Sequence, residues 1–226
     1  MNEFLFGIFP YIAITIMVVG AIARYERDPF TWKSSSSQLL RRKQLIWGSI
    51  LFHVGILIVF FGHLFGLLLP IEFYDALGVS HTFKQLLAAI GGGTAGVMAL
   101  VGGLMLAHRR FADPRVRATS SFWDSAIILI LVAQLILGIG TVPVSLENLD
   151  GHEMTLLMSW ANGIATFDSE AASYIAQTHW IFRAHVLLGL MIFVIFPFTR
   201  LVHMLSAPVR YIWRPGFQIV RRRRRV

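Results

Sequence analysis

Five long apolar runs constrain this chain more than any other feature of its sequence. They lie near residues 4–23, 45–69, 86–107, 122–144 and 180–203. Each is long enough to cross, as a helix, a hydrocarbon core that is about 30 Å thick. Only a helix satisfies every backbone N–H and C=O group within one segment at that depth. The sequence therefore predicts an all-α, polytopic membrane protein with five transmembrane helices in a single membrane domain, residues 1–226, with kinks at Pro10 and Pro197.

The basic residues divide the connecting segments into two classes. Most of the 20 Lys and Arg residues fall in the stretches 24–43, 109–117 and 210–225. The segment 145–178 holds none of them. Because lysines and arginines accumulate on loops that stay in the cytoplasm, we expect the N-terminus outside and the C-terminus, with its basic tail 207–226, inside. This bias also explains the formal net charge of +8, so the charge does not indicate a nucleic-acid partner.

Three further stretches bear on packing and surface contacts. Gly91 to Gly96, continued by Gly102 and Gly103, predicts a small-residue face through which the third helix approaches a neighbour closely. The outer segment 145–178 fits either a helix lying on the membrane surface or an irregular loop. The arginine run 221–225 is expected to attract anionic membrane lipids, with docking of an acidic partner as the alternative.

Four histidines lie within two of the apolar runs, His53 and His63 in the second, and His185 and His203 in the last. Ionisable side chains at bilayer depth are costly, face the protein interior and mark ion or electron paths. The second run leads outwards and the last leads inwards. His53 and His203 therefore both lie towards the cytoplasm, and His63 and His185 both lie towards the exterior.

Matched pairs of this kind indicate two bound haems, each iron taking one imidazole from each helix. The chain has no Cys, which excludes iron–sulfur ligation and thioether attachment, so the haems would be non-covalent b haems. A bare Zn or Cu site is less natural, because the two levels lie far apart along the membrane normal. Interior histidines that merely hydrogen-bond to neighbouring helices are the other interpretation.

Straight-helix geometry tests this pairing by depth. His185 and His203 are 18 positions apart, which is five whole turns and roughly 27 Å. His53 and His63 are 10 positions apart, or roughly 15 Å and about 80° in azimuth. Helix tilt, the kink at Pro197 and inclined haem planes must together absorb the difference.

Basic residues at the membrane edges are candidates for anionic groups. Arg109, Arg110, Arg183 and Arg200 are predicted to contact haem propionates, with snorkelling to the interface as the alternative. Lys84 is the one basic residue in the outer stretch 70–85. It is placed to hydrogen-bond a quinone carbonyl or a quinol hydroxyl, or else to serve as an interfacial anchor. The remaining histidines, His81, His108, His152 and His179, are expected at the interfaces.

Several blocks around these residues resemble the gamma subunit of membrane-bound respiratory nitrate reductase, a cytochrome b chain. They are FPYIA, FTWKSSSSQLL, LFHVGILIVFFGHLFG, PRVRAT, DG-x-E-M, IFRAHVLLG and FPFTRLVH. The resemblance implies two b haems with the iron-ligand pairs His53–His203 towards the cytoplasm and His63–His185 towards the periplasm. It also implies a quinol site at Gly62, His63 and Lys84, with no separate catalytic residue.

The function that this resemblance implies is electron transfer in the bacterial inner membrane. Quinol, either menaquinol or ubiquinol, would be oxidised at the periplasmic side. Electrons would pass through both haems to an iron–sulfur beta subunit and a molybdenum alpha subunit that reduces nitrate to nitrite in the cytoplasm. Two alternatives stay open: a haem-b subunit of another reductase, of the heterodisulfide or sulfite-reduction type, and a structural membrane anchor without a cofactor.

Overall fold

Long helices account for nearly all of the regular structure. The computed structural model describes residues 1–32 and 40–206, so the predicted basic tail 207–226 lies outside the described residues. Five helical segments in the described part are long and apolar enough to cross a membrane: Glu3–Arg27, Arg42–Leu68, His81–Ala112, Phe122–Glu147 and Trp180–Phe198. No β-strand occurs within residues 1–32 and 40–206. The predicted all-α architecture with five spans is confirmed.

The helices follow one another with short connections. In chain order they are α1 (Phe9–Arg27), α2 (Arg42–Leu68), α3 (Ile71–Ala76), α4 (His81–Leu87), α5 (Gly93–Ala112), α6 (Pro114–Ala118), α7 (Phe122–Glu147), α8 (His152–Thr166), α9 (Ala171–Ala176) and α10 (Trp180–Ile195). A π-helical turn, Glu3–Ile8, precedes α1, and another, Ala88–Gly92, joins α4 to α5. The third span therefore begins at His81 rather than near residue 86, because the Ser80 hydroxyl accepts a hydrogen bond from the Phe83 N–H and caps α4.

Helices α2 and α5 pack with their backbones in contact. A Cβ placed on Gly55 would lie 2.6 Å from the Ala95 carbonyl oxygen, and one on Gly102 would lie 2.3 Å from the Phe52 nitrogen. Only glycine fits at such a distance, as in other close helix crossings in membranes. The small-residue face predicted for the third span is present, and it fixes α2 against α5.

The last span breaks before it reaches His203. Helix α10 ends at Ile195, a 3-10 turn covers Phe196–Phe198, and Thr199 is extended with φ −112° and ψ 179°. A second 3-10 segment then runs over Arg200–Ser206. Pro197 contributes to this break, because it has no N–H to donate and its ring clashes with the preceding turn. An interruption is thus present at Pro197, where a kink was predicted, and the straight-helix distance of five turns between His185 and His203 does not apply.

The segment 145–178 contains the helices α8 and α9, so it is not an irregular loop, and its position on the membrane surface stays a prediction. Helix α8 buries Met158 and Ile164. The Trp160 indole N–H donates to the Phe6 carbonyl at 2.9 Å, and the Asn162 amide donates to the Leu67 carbonyl at 3.0 Å. These bonds tie α8 to the first and second spans at the end of the molecule where α2 finishes.

Candidate functional site

The structure brings the four histidines of the second and last apolar runs together in two pairs. The ring centroids of His53 and His203 are 6.3 Å apart, with an angle of 67° between the ring planes. Those of His63 and His185 are 6.0 Å apart, with an angle of 41°. The partners are the ones that matching by depth predicts, although the break in the last span changes how His203 arrives at its position.

The spacing within each pair suits a metal held between two imidazoles. Metal–imidazole bonds of about 2.0–2.1 Å place the two coordinating nitrogens about 4 Å apart, and each ring centroid lies roughly 1 Å further out. The expected centroid separation is then about 6 Å, as found in both pairs. Ordinary contacts between aromatic rings also cover this range, so the distance alone does not distinguish a metal site from ring packing. The hydrogen bonds of the rings are needed to separate the two.

Three of the four rings are oriented by a backbone carbonyl of their own helical segment. The Nδ1 atom of His53 lies 2.7 Å from the Ser49 carbonyl oxygen, and that of His63 lies 2.8 Å from the Val59 oxygen. The Nδ1 atom of His203 contacts the Arg200 oxygen. Since a carbonyl only accepts, these contacts place the proton on Nδ1 and leave the Nε2 lone pair free, which is the arrangement of a metal-ligating histidine.

His185 is positioned differently. Its Nδ1 atom is buried and has no hydrogen-bond partner in the part of the chain that the structure describes. The amide of Gln134 in α7 donates to the His185 carbonyl at 3.0 Å and lies 3.4 Å from its Nε2. A Cβ on Gly138 would lie 2.9 Å from the ring, so this glycine makes room for the imidazole. Sequence reasoning did not identify Gln134, although a polar residue within an apolar run was a usable signal.

The donor set fits haem better than a bare metal ion. No group of three or more His, Cys, Asp or Glu residues that could hold a metal occurs among the described residues. Two imidazoles per site are the axial ligands of a low-spin b haem, in which the porphyrin supplies the other positions. His53 and His63 are exposed on the surface of the isolated chain, and polar groups at this depth are expected to be covered by protein or by a bound group.

The space beside His63 also suits a large planar ligand. A Cβ placed on Gly62 or on Gly66 would meet no atom of the described residues within 4 Å. Gly55, by contrast, faces α5 and serves helix packing. Of the glycines near these histidines, Gly62 and Gly66 are therefore the ones that leave open surface next to a ligand candidate.

Lys84 of α4 contacts α2 at Gly66, three residues after His63. Its ammonium donates to the Gly66 carbonyl at 3.2 Å and to the Met158 sulfur at 2.7 Å. It also lies 3.7 Å from the centroid of the Tyr74 ring, and the residue is 7% exposed. The sequence singled out Lys84 but not Met158 or Tyr74, because their proximity depends on how the segments that carry α3 and α8 fold back over α2.

Three of the four arginines suggested for propionates are held in protein contacts. Arg200 Nε donates to Asp124 at 2.7 Å, and Arg110 Nη1 lies 3.8 Å from the same carboxylate. Arg109, which is 3% exposed, donates to the Leu40 carbonyl at 2.7 Å. Their role at a propionate stays a prediction.

Arg183 differs from these three. Its Nε atom is buried and has no hydrogen-bond partner among the described residues. It is two positions from His185 in α10, close in depth but about 200° away around the helix, and its role at a propionate also stays a prediction.

Comparison with known proteins decides the family. The nitrate reductase gamma subunit family matches residues 2–223. The chain belongs to this family. It is 43% identical over 223 residues to the respiratory nitrate reductase 1 gamma chain of Escherichia coli K12, covering 99% of this chain and 98% of that relative.

Other members of the nitrate reductase gamma subunit family give the same result. The respiratory nitrate reductase 2 gamma chain of Escherichia coli K12 is 45% identical over 224 residues, covering 99% of this chain and 98% of the relative. The nitrate reductase gamma chain of Bacillus subtilis 168 is 36% identical over 222 residues, covering 98% and 99%. The resemblance seen in the sequence is confirmed. With its five apolar helices, the chain is a multi-pass membrane subunit of this reductase family, located in the inner membrane.

Proposed function

We propose that the chain is the di-haem cytochrome b subunit of a respiratory nitrate reductase. In this proposal it oxidises quinol at the periplasmic side, and its electrons reach cytoplasmic iron–sulfur and molybdenum subunits that reduce nitrate to nitrite. The observation that carries the proposal is the presence of two histidine pairs with ring centroids 6.3 and 6.0 Å apart, in a member of the gamma subunit family.

The protein's part in haem binding follows from the ring contacts. His53 with His203, and His63 with His185, would each supply the two axial nitrogens of one non-covalent b haem. The carbonyl contacts at Nδ1 hold the first three rings with Nε2 as the ligand atom. When bound, the haems supply one-electron carriers at two depths of the membrane.

The quinol site is assigned to Gly62, His63 and Lys84. A lysine ammonium has three donors, and the Gly66 carbonyl and Met158 sulfur take two of them. The ammonium also lies over the Tyr74 ring, and among the described residues no further hydrogen-bond acceptor is found for its third N–H, which we assign to a quinol oxygen. Oxidation of quinol releases two electrons and two protons; we assign the protons to the outer aqueous side, and the electrons leave one at a time. Menaquinol and ubiquinol both present the oxygen that Lys84 would bind.

The direction of electron flow depends on orientation. Among the described residues, the basic side chains of the 24–32 and 40–43 stretches and of 109–117 lie at the ends of spans that the positive-inside rule assigns to the cytoplasm. The segment without Lys or Arg, 145–178, contains α8 and α9. We therefore place Lys84 and the His63–His185 pair towards the periplasm and the partner subunits opposite.

The test uses the whole reductase complex and two electron donors. Replacing His63 by Leu is expected to abolish nitrate reduction driven by quinol, while reduction driven by a small reduced dye that reaches the soluble subunits directly is retained. His152→Leu, which changes an exposed histidine of α8, is the control and is expected to retain both. A chain acting only as a structural anchor would retain quinol-driven activity in His63→Leu. Co-purification with subunits of another reductase, with no nitrate reduction, would favour the other alternative.

A further inference from the structure

A side chain from the first span satisfies the backbone at the break in the last span. The guanidinium of Arg24 in α1 donates through Nη1 to the carbonyl oxygens of Pro197 and Thr199, both at 2.8 Å. Both residues are buried, Thr199 to 2% exposure. Because the helix is broken there, these carbonyls have lost the regular helical donors, and an unsatisfied carbonyl at this depth would be costly.

The opposite edge of the same guanidinium is also engaged. Arg24 Nη2 donates to the Thr31 carbonyl at 2.7 Å, and Nε donates to the Thr31 hydroxyl at 3.3 Å. The planar group thus connects α1, the 3-10 turn Pro29–Thr31 and the break at Pro197. A lysine ammonium can reach the carbonyls as a point charge but cannot connect both sides in one plane.

The break determines where His203 lies. His203 lies four positions after Thr199, and the Thr199 hydroxyl accepts from the Leu201 N–H at 3.2 Å, which starts the final 3-10 segment. Arg200, whose carbonyl contacts the His203 ring, is held from the other side by Asp124 of α7 at 2.7 Å. The segment carrying His203 is therefore fixed at its start by Arg24 and at its side by Asp124.

His53 belongs to a different part of the bundle. Helix α2 packs on α5, whereas α10 packs on α1 and α7. The alignment of the His203 ring with the His53 ring therefore depends on the ties that hold the broken end of the last span. Within residues 1–32 and 40–206, Arg24 is the side chain that donates to the freed carbonyls at Pro197 and Thr199.

We propose that Arg24 is the positioning residue of the His53–His203 pair: by donating to the carbonyls of Pro197 and Thr199 it sets the break from which His203 reaches its partner. Its link to haem rests on the proposed function. Arg24 would act through His203, since its guanidinium donates to Pro197, Thr199 and Thr31.

The experiment is a spectroscopic comparison in the whole complex. Haem is quantified per chain, and the low-spin electron paramagnetic resonance signal and midpoint potential of each haem are assigned with the variants His203→Leu and His185→Leu. Arg24→Gln is expected to shift or abolish the signal of the His53–His203 haem, with haem falling from two towards one per chain, while the other haem keeps its signal and potential. Arg24→Lys is expected to restore part of the signal of the His53–His203 haem. Arg27→Gln, on the same helix and exposed, is the control and should resemble the wild type.

The outcomes separate this inference from the proposed function. Unchanged signals from both haems in Arg24→Gln would overturn the positioning role and leave the di-haem proposal intact. If both haems are lost in Arg24→Gln, the result from Arg24→Lys decides. An altered His53–His203 haem beside a normal His63–His185 haem supports the positioning role. Loss of both haems again, or two unaltered signals, overturns it. A wild-type chain without haem refutes the proposed function itself.

Discussion

Lys84 is a charged side chain whose surroundings explain its proposed task. Its ammonium contacts a carbonyl oxygen, a thioether sulfur and the face of Tyr74, and of these the sulfur is a weak acceptor. The residue is thus buried with incomplete hydrogen bonding, which leaves it able to bind a polar oxygen of a ligand. The sequence identified this lysine because no other Lys or Arg occurs in the stretch 70–85. It did not identify the residues that enclose the lysine.

Replacing Lys84 by Ala is expected to raise the KM for quinol about tenfold or more, because a hydrogen bond to a charged group contributes about 1.5–3 kcal/mol. Haem content is expected to stay at the wild-type level. Steady-state quinol oxidation by the complex measures the change, with Lys43→Ala, an exposed lysine of α2, as the control. An unaltered KM in Lys84→Ala would contradict the assignment of this residue to the quinol site.

Asp113 is a carboxylate just beyond the third span with a stabilising role that depends on pH. Burial acts to raise its pKa, but the N–H groups of Val116 and Arg115, at 3.3 and 2.9 Å, together with Arg41 at 3.0 Å, hold that pKa below the ordinary value. A lowered pKa means that this contribution to stability is present above the unfolded-state pKa of about 3.9 and is lost as the pH falls through the lower folded-state value.

The acid sensitivity of Asp113 can be measured by thermal unfolding in detergent at a series of pH values. Replacing Asp113 by Asn is expected to lower the Tm at neutral pH and to reduce the further decrease of Tm below about pH 4. If the variant and the wild type lose stability in parallel over that acidic range, the carboxylate does not have this role.

At the level of elements, the sequence predicted the spans better than their ends. Apolar length determines that a segment crosses the membrane, so all five spans are found. The start of the third span depends on the Ser80 cap, and the end of the fifth depends on Pro197. The proline predicts a kink, but the segment after Pro197 is held by contacts with Arg24 and Asp124, which are distant in sequence. The calculation for His203 on a straight helix failed for that reason.

The packing of α2 on α5 gives a prediction for a single methyl group. Replacing Gly102 by Ala would put a Cβ 2.3 Å from the Phe52 nitrogen and 2.7 Å from the Gly48 carbonyl oxygen, so the backbones must separate. We expect a loss of about 1–3 kcal/mol in the free energy of unfolding. Gly91→Ala is the matched control, since its Cβ would meet no atom within 4 Å. Denaturant unfolding of both variants measures the difference, and equal stabilities would refute the close contact.

For the whole molecule, the proposed direction of electron flow has an electrostatic consequence. Moving an electron inwards against a negative cytoplasm costs about 2.3 kcal/mol of free energy per 100 mV of membrane potential. We therefore expect the His53–His203 haem to have a higher reduction potential than the His63–His185 haem. A redox titration, with each haem assigned through a single-ligand variant, tests this order, and the reverse order would contradict it.

Haem content per chain shows whether the two pairs of imidazoles hold two haems, as we propose. The measurement is a reduced-minus-oxidised spectrum of the chain purified with its native lipids, with haem quantified against protein. We expect two b haems in the wild type, one when His63 or His53 is replaced, and none when His53, His63, His185 and His203 are all replaced. A colourless wild-type chain, or six-coordinate low-spin iron that persists in the fourfold variant, would contradict it.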